Sequence, residues 1–216
     1  MKRFDRPMVG FLSREQMLAV LDVQTTTWLG QCDRLLLTLL YNTGARVSEM
    51  VGVRVADVVL GPTSIHLHGK GRKQRALPLW KNTARDVRAW LRINGQLAAA
   101  SPLPPTRDGK AMTRANATQR LKLAVEAASD RHPELAKRSI SPHIIRHSTA
   151  MTMLQSGATL VEVALWLGHE SPSTTHMYVE ADLAMKERAL ARLEPPDTKP
   201  ARYRPPQALL KFLQSL

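Results

Sequence analysis

Cysteine is almost absent from this chain. Cys32 is the only one in 216 residues, so an internal disulfide framework is excluded. It lies in the apolar run CDRLLLTLLY and reads as a small core residue rather than a nucleophile. Aromatic residues make up 5%, which argues against a module that reads single strands by stacking bases. No apolar run approaches the length of a membrane span, and the opening MKRFDRPMVGFLSREQ lacks the uninterrupted apolar stretch of a secretory signal. A cytoplasmic protein without membrane contact is expected. No internal repeat is evident. Acidic residues are also scarce, 18 against 31 Lys and Arg, which leaves a net charge of +13. Such a balance favours a polyanionic partner, duplex nucleic acid before single strands, although a simply basic protein would show the same charge.

The apolar fraction of 44% is that of a folded chain, and the length suits one good core with appendages. Ser13 is placed to cap a helix through REQMLAVLDV, with Glu15 and Gln16 in its first turn. A second helix is expected around Gln31 to Tyr41, closed by Asn42-Thr43-Gly44, and a further helical turn starts near Arg46. The stretch VRVADVVLGPTSIHLHGKGRKQRALPL changes character. Its β-branched runs, Gly61-Pro62 and the Gly69-Lys70-Gly71 turn predict a three-stranded antiparallel sheet. Helices are then expected at TARDVRAWLRI, RANATQRLKLAVEAAS, PHIIRHSTAMTMLQSG, TLVEVALWLG and TTHMYVEADLAMKERALARL. Between the helical halves, SPLPPTRDGK at 101–110 reads as a surface connection within one domain. The end of the chain reads as an extended basic linker, PPDTKPARYRPP, and a short amphipathic helix, QALLKFLQSL. The fold class is therefore mainly α with one small antiparallel sheet.

Several residues in this frame suit chemistry on a phosphodiester. In HIIRH, His143 and Arg146 stand three apart and share a helix face. His147 follows His143 by four, the spacing of a helical metal pair, but no glutamate lies at the zinc-protease position and no third ligand stands nearby, so His147 reads as structural. His66 and His68 fall on one face of a strand, where a solvated surface explains them and no role is assigned. The hairpin turn carries Lys70, Arg72, Lys73 and Arg75, four cations within six residues, suited either to a DNA backbone or to plain solvation. In TGARVSE, Glu49 is three residues after Arg46 and positioned to orient its guanidinium, or to form an ordinary surface pair. His169 follows Leu167-Gly168, and Tyr178 comes nine residues later. Taken one at a time, each has an ordinary structural explanation.

Taken together, TGARVSEMVGV, HGKGRKQRALPL and SPHIIRHSTAMTMLQSGATLVEVALWLGHESPSTTHMYV resemble the tyrosine recombinase (phage integrase) family, in order and separation, over nearly all of residues 11–190. The resemblance implies the family's catalytic-domain fold and a set of roles. Arg46 and Arg146 match the two arginines, Glu49 the acidic residue supporting the first, and Lys70 the hairpin lysine. His143 pairs with Arg146 in the HxxR motif, His169 is the second histidine, and Tyr178 is the nucleophile. Arg72, Lys73 and Arg75 would contact DNA. Ile144 departs from a frequent aspartate and Ile145 from a leucine, and neither change removes a catalytic group.

The activity implied is site-specific recombination or integration of duplex DNA through a 3′-phosphotyrosyl intermediate, with no metal or other cofactor. Lys70 would serve as acid for the departing oxygen and His143 as base. Residues 1–195 would form the catalytic domain and 196–216 the linker and C-terminal helix. The match begins within the first fifteen residues, so the family's N-terminal core-binding domain, roughly a hundred residues and within the usual domain range, is expected to be absent. Weak, salt-dependent DNA binding is then expected. The C-terminal helix is a candidate to dock on a neighbouring protomer in a tetramer on paired sites, or on the chain's own surface. Relaxation of supercoils in the manner of a type IB topoisomerase, and DNA binding by a non-catalytic recombinase fragment, are the alternatives.

Overall fold

The computed structural model describes residues 10–61, 63–69 and 74–169. These belong to one compact unit reaching to Asp182, with no division at the proline-rich stretch. Lys70, Arg72, Lys73, Tyr178, the helix expected around Tyr178 and the C-terminal linker and helix lie outside the described residues.

Helix α1 covers Arg14–Leu21, and its start follows the sequence closely: the Ser13 hydroxyl accepts from the Gln16 N–H while the Gln16 side chain reaches back to the Ser13 N–H. Helix α2, Trp28–Thr43, begins earlier than its apolar run suggests because Thr27 caps it, accepting from the Gly30 N–H at 3.0 Å. It is the centre of the molecule. Cys32, Leu35, Leu36, Leu37, Leu39 and Leu40 are all buried, a helix apolar on nearly every side and therefore enclosed on nearly every side. Each buried leucine contributes about 2 kcal/mol. Burial, with the neighbouring Asp33 carboxylate, raises the Cys32 thiol to about 12, so it is inert at neutral pH, as its context implied.

Short helix α3, Val47–Met50, follows, then a 3-10 turn at Val55–Asp57 and the sheet: β1 Val58–Leu60, β2 Thr63–His68 and β3 Gln74–Pro78. The strands run β1-β2-β3, antiparallel throughout, as expected. Ile65 pairs with Leu77 and Leu67 with Arg75, which sets Arg75 on the sheet's inner face. His66 and His68 share the opposite face, where His68 Nε2 lies 2.8 Å from Asp57.

Helices α4 (Lys81–Ile93), α5 (Arg114–Ser129), α6 (Pro142–Gln155) and α7 (Leu160–Leu167) complete the described fold. Helices α4, α5 and α6 pack around α2, and α7 lies against α6. The 101–110 connection is less superficial than its prolines suggest. Leu103, Pro104 and Pro105 are buried, the Leu103 N–H donates to Val53 O, and the Cys32 thiol donates to Pro105 O. Proline has no N–H to satisfy, so such a segment can be buried with few partners.

One polar contact crosses the core. Arg120 of α5 donates from Nε and Nη2 to the two oxygens of Asp33 on α2, and Asp33 is 5% exposed. Removing one partner strands the other charge. Asp33→Ala is therefore expected to destabilise the fold by about 2–3 kcal/mol, below the usual ~3–5 kcal/mol for a buried pair because Arg120 retains some solvent. Denaturant melts would show this, and a loss under about 0.5 kcal/mol, the scale of an ordinary surface substitution, would contradict it.

Candidate active site

Three helix ends converge to make the site. Helix α2 stops at Gly44 in the left-handed conformation, φ 57°, with its N–H donating to Leu40 O. Glycine suits the left-handed dihedrals, and a Cβ there would stand 2.4 Å from the Leu167 side chain, which would have to shift. The turn delivers Arg46 to the N-cap of α3. Its backbone N–H donates to Glu49 Oε2 at 2.9 Å and its Nη1 to Glu49 Oε1 at 3.0 Å. About half of the Arg46 side chain remains exposed, while Glu49 is almost fully enclosed, with 4% of its side chain exposed. Burial works to raise the Glu49 carboxyl, but hydrogen bonds from Arg75 and Arg46 outweigh it and hold the pKa below the usual range. The carboxylate orients a guanidinium, the first of the two readings open from sequence.

Helix α6 starts with Pro142 at its first position, which presets the turn that carries His143 and Arg146. Arg146 is 4% exposed. Its Nη1 donates to Gly44 O at 2.6 Å and its Nη2 to Leu167 O at 2.8 Å, bracing the ends of α2 and α7 with one planar group. His143 and His147 meet edge to face, Nε2 to Nε2 at 2.8 Å, so one ring donates and the other accepts. His147, itself 2% exposed, thus fixes the His143 ring, a more specific use than packing.

Helix α7 ends in a Schellman turn: the Gly168 N–H donates to Leu165 O and the His169 N–H to Ala164 O, with Gly168 at φ 66°. This turn aims His169 back toward the arginines. Its carbonyls at 166 and 167 accept from Arg75 Nε at 3.1 Å and from Arg146, cations at the negative end of the helix.

The structure therefore brings Arg46, Glu49, His143, Arg146 and His169 into one place, and adds Arg75. Arg75, grouped from sequence with the DNA-contacting cations, has 15% of its side chain exposed, and its guanidinium turns inward to Glu49 and Trp166. The signal was in the alternation of β3, where Arg75 shares a face with buried Leu77. Asn42 was read only as a helix-ending residue. It is fully buried and holds two backbone groups and one indole, donating to Pro78 O, accepting from the Trp80 N–H, and offering its own carbonyl to Trp166 Nε1.

The three histidines shift in the same direction. Burial first, then Arg146, Arg46, Arg75 and His143, lower His169 to about 4. Burial, then His143, Arg146 and His169, lower His147 to about 4. Burial, Arg146 and Arg46 push His143 below its ordinary value. All three rings are neutral at pH 7, and an arriving anion would relieve the repulsion. In the unfolded chain His147 and His169 bind protons below pH 6.5, and in the folded one only near pH 4. Stability is therefore full above pH 6.5 and falls as pH drops through that window. Thermal melts between pH 7.5 and 4.5 should show that slope, and His147→Gln should flatten it. An unchanged slope in that variant would refute the assignment.

The phage integrase family model matches residues 10–185. The chain is 40% identical over its full length to y4rC of Sinorhizobium fredii, a protein named for the integrases and recombinases, of which the match covers 65%. It is 31% identical over 83% of its length to tyrosine recombinase XerC of Psychromonas ingrahamii, covering 59% of that protein. The chain thus spans about two thirds or less of the relatives it matches. In fold it resembles the XerA recombinase (TM-score 0.75, 18% identity, 90% of this chain and 68% of that one). It also resembles the XerH site-specific recombinase bound to palindromic difH substrate in a post-cleavage complex (TM-score 0.72, 24% identity, 86% and 53%). The chain belongs to the phage integrase family, the tyrosine recombinases, and has the fold of their catalytic domain.

Proposed function

We propose that this chain cuts and rejoins duplex DNA as the catalytic part of a site-specific recombinase or integrase. The observation that carries this reading is the convergence of Arg46, Arg146, His143 and His169 at three helix ends, with Glu49 holding Arg46. Two guanidiniums and two imidazoles gathered at one place suit the two non-bridging oxygens of a phosphodiester, whose charge grows in the transition state.

In the step proposed, the Tyr178 phenolic oxygen forms a bond to phosphorus as the bond to the 5′-oxygen breaks. The phenolic proton passes to His143, and Lys70 supplies a proton to the departing 5′-oxygen. A 3′-phosphotyrosyl link and a free 5′-hydroxyl result. The phosphodiester's energy is kept in the new ester, so attack by a 5′-hydroxyl reverses the step without a nucleotide cofactor. Arg72 and Lys73 on the hairpin turn would hold backbone phosphates.

Residues 1–195 would act as the catalytic domain. Residues 196–216 would link protomers, as a tetramer on paired sites, through the C-terminal helix. Truncation at 195 that leaves the oligomeric state on DNA unchanged would remove that part of the reading. No helix among the described residues is long and apolar enough to cross a membrane, consistent with action on DNA in the cytoplasm.

The test uses a pool of duplexes with a nick beside a randomised core, which releases a short strand on cleavage and traps the enzyme. A denaturation-resistant protein–DNA adduct, formed in the presence of EDTA, is expected. Binding to the pool with no adduct in any member would support a non-catalytic DNA-binding module instead.

A further inference from the structure

We infer that Arg75 is a positioning residue for the cleavage step, one that sets Arg46 and His169 against the same phosphate and preserves the charge of Arg46. The inference rests on the assignment of those two groups to the phosphate given above.

The geometry is unusual for a residue beside a hairpin tip. Arg75 donates from Nη1 to Glu49 Oε1 at 3.2 Å, from Nη2 to Glu49 Oε2 at 2.7 Å, and from Nε to Trp166 O at 3.1 Å. All three guanidinium nitrogens point into the protein. With the two bonds from Arg46, each Glu49 oxygen accepts twice, which fills the carboxylate's lone pairs. Arg46 is therefore held by a carboxylate that Arg75 holds in turn.

The far side of the same guanidinium touches the turn before His169. A Cβ on Gly168 would lie 3.0 Å from Arg75 Nη1 and 3.3 Å from its Cδ and Cζ. The left-handed residue that redirects the chain into His169 thus lies directly against Arg75. One side chain on β3 keeps the start of α3 and the end of α7 at a set separation.

Charge gives a second reason. Glu49 lies between two guanidiniums. With Arg75 present the trio carries one net positive charge, and that charge is available to an incoming phosphate. Without Arg75, Glu49 would neutralise Arg46 alone. A purely structural ion pair of this burial could be exchanged for apolar packing at little cost. A positioning pair could not.

The test follows from that difference, on a nicked suicide duplex recovered from the pool above. Single-turnover adduct formation is measured with an ordinary scissile phosphate and with a methylphosphonate, which is neutral and needs less positive charge for its transition state. Arg75→Met should slow cleavage of the ordinary substrate about 100-fold, the scale of a misplaced catalytic group, with duplex affinity within about threefold of wild type. On the methylphosphonate the deficit should shrink below about tenfold. Arg75→Lys should fall between, since one ammonium satisfies Glu49 but does not also reach Trp166 O.

Should Arg75→Met fail to fold by circular dichroism, Arg75→Gln, which keeps an N–H donor for Glu49 but removes the charge, is read by the same ratio. An Arg75→Met rate within about threefold of wild type on the ordinary phosphate would overturn the inference, and so would an equal deficit on both substrates. Wild-type protein that forms no adduct on either substrate overturns the recombinase reading itself, and this inference with it.

Discussion

Tyr178→Phe is expected to abolish the covalent adduct. Only one oxygen is removed, and the expected loss is at least about 10⁴-fold, because a nucleophile has no partial substitute in a transesterification that runs through it. A phenol ordinarily ionises near pH 10, so at neutral pH a base must take its proton as the bond to phosphorus forms. His143, neutral because burial and the two arginines hold its pKa down, is in the right state to do so. Duplex binding should change by less than about threefold, since the backbone is held by cations rather than by the phenol. Gel electrophoresis under denaturing conditions reads the adduct and filter binding reads the affinity. Cleavage that persists in the phenylalanine variant would mean that another residue attacks.

The second large effect is at Arg146, where catalysis and stability are joined. Arg146→Ala would take away the guanidinium proposed to meet the phosphate, and would leave the carbonyls of Gly44 and Leu167 without their buried donor. The first loss should slow adduct formation about 10³-fold, the scale for a preorganised donor at a developing oxyanion. The second should cost about 1–3 kcal/mol per carbonyl, or several degrees in melting temperature for a protein of this size. Arg146→Lys separates the two. An ammonium keeps the charge and can satisfy one carbonyl, but it does not span both helix ends as a planar fork does. Lysine should therefore recover much of the melting temperature while the rate stays at least about 10²-fold down. An alanine variant cleaving within tenfold of wild type would remove Arg146 from the phosphate site.

The local parts of this architecture were legible in sequence. Ser13 marked the start of α1, Gly44 and Gly168 marked the ends of α2 and α7, and the β-branched runs around Gly61 and Gly69 outlined the sheet. Each is a relation among residues a few positions apart. The same holds for Arg46 with Glu49 and for the HxxR spacing on α6. What escaped was contact at long range. Arg75 looked like one more cation in a basic turn because its partner, Glu49, lies on a different element, and only the inward alternation beside Leu77 hinted at a buried role. Leu103 to Pro105 looked like surface because proline marks loops, yet the segment lies in the core and meets Cys32 of α2. His147 was legible as structural, but not as the ring against which His143 sets its Nε2, since helical spacing predicts a shared face and not which atoms meet.

The most direct measurement is the chemical identity of the protein–DNA bond. Adduct from the suicide duplex, formed in EDTA, would be digested with nuclease and protease and the modified peptide sequenced by mass spectrometry. The account predicts a nucleotide 3′-phosphate esterified to Tyr178, with a 5′-hydroxyl on the released strand. A bond to any other residue, or cleavage that leaves a 5′-phosphate and appears only when a divalent metal is added, would contradict it.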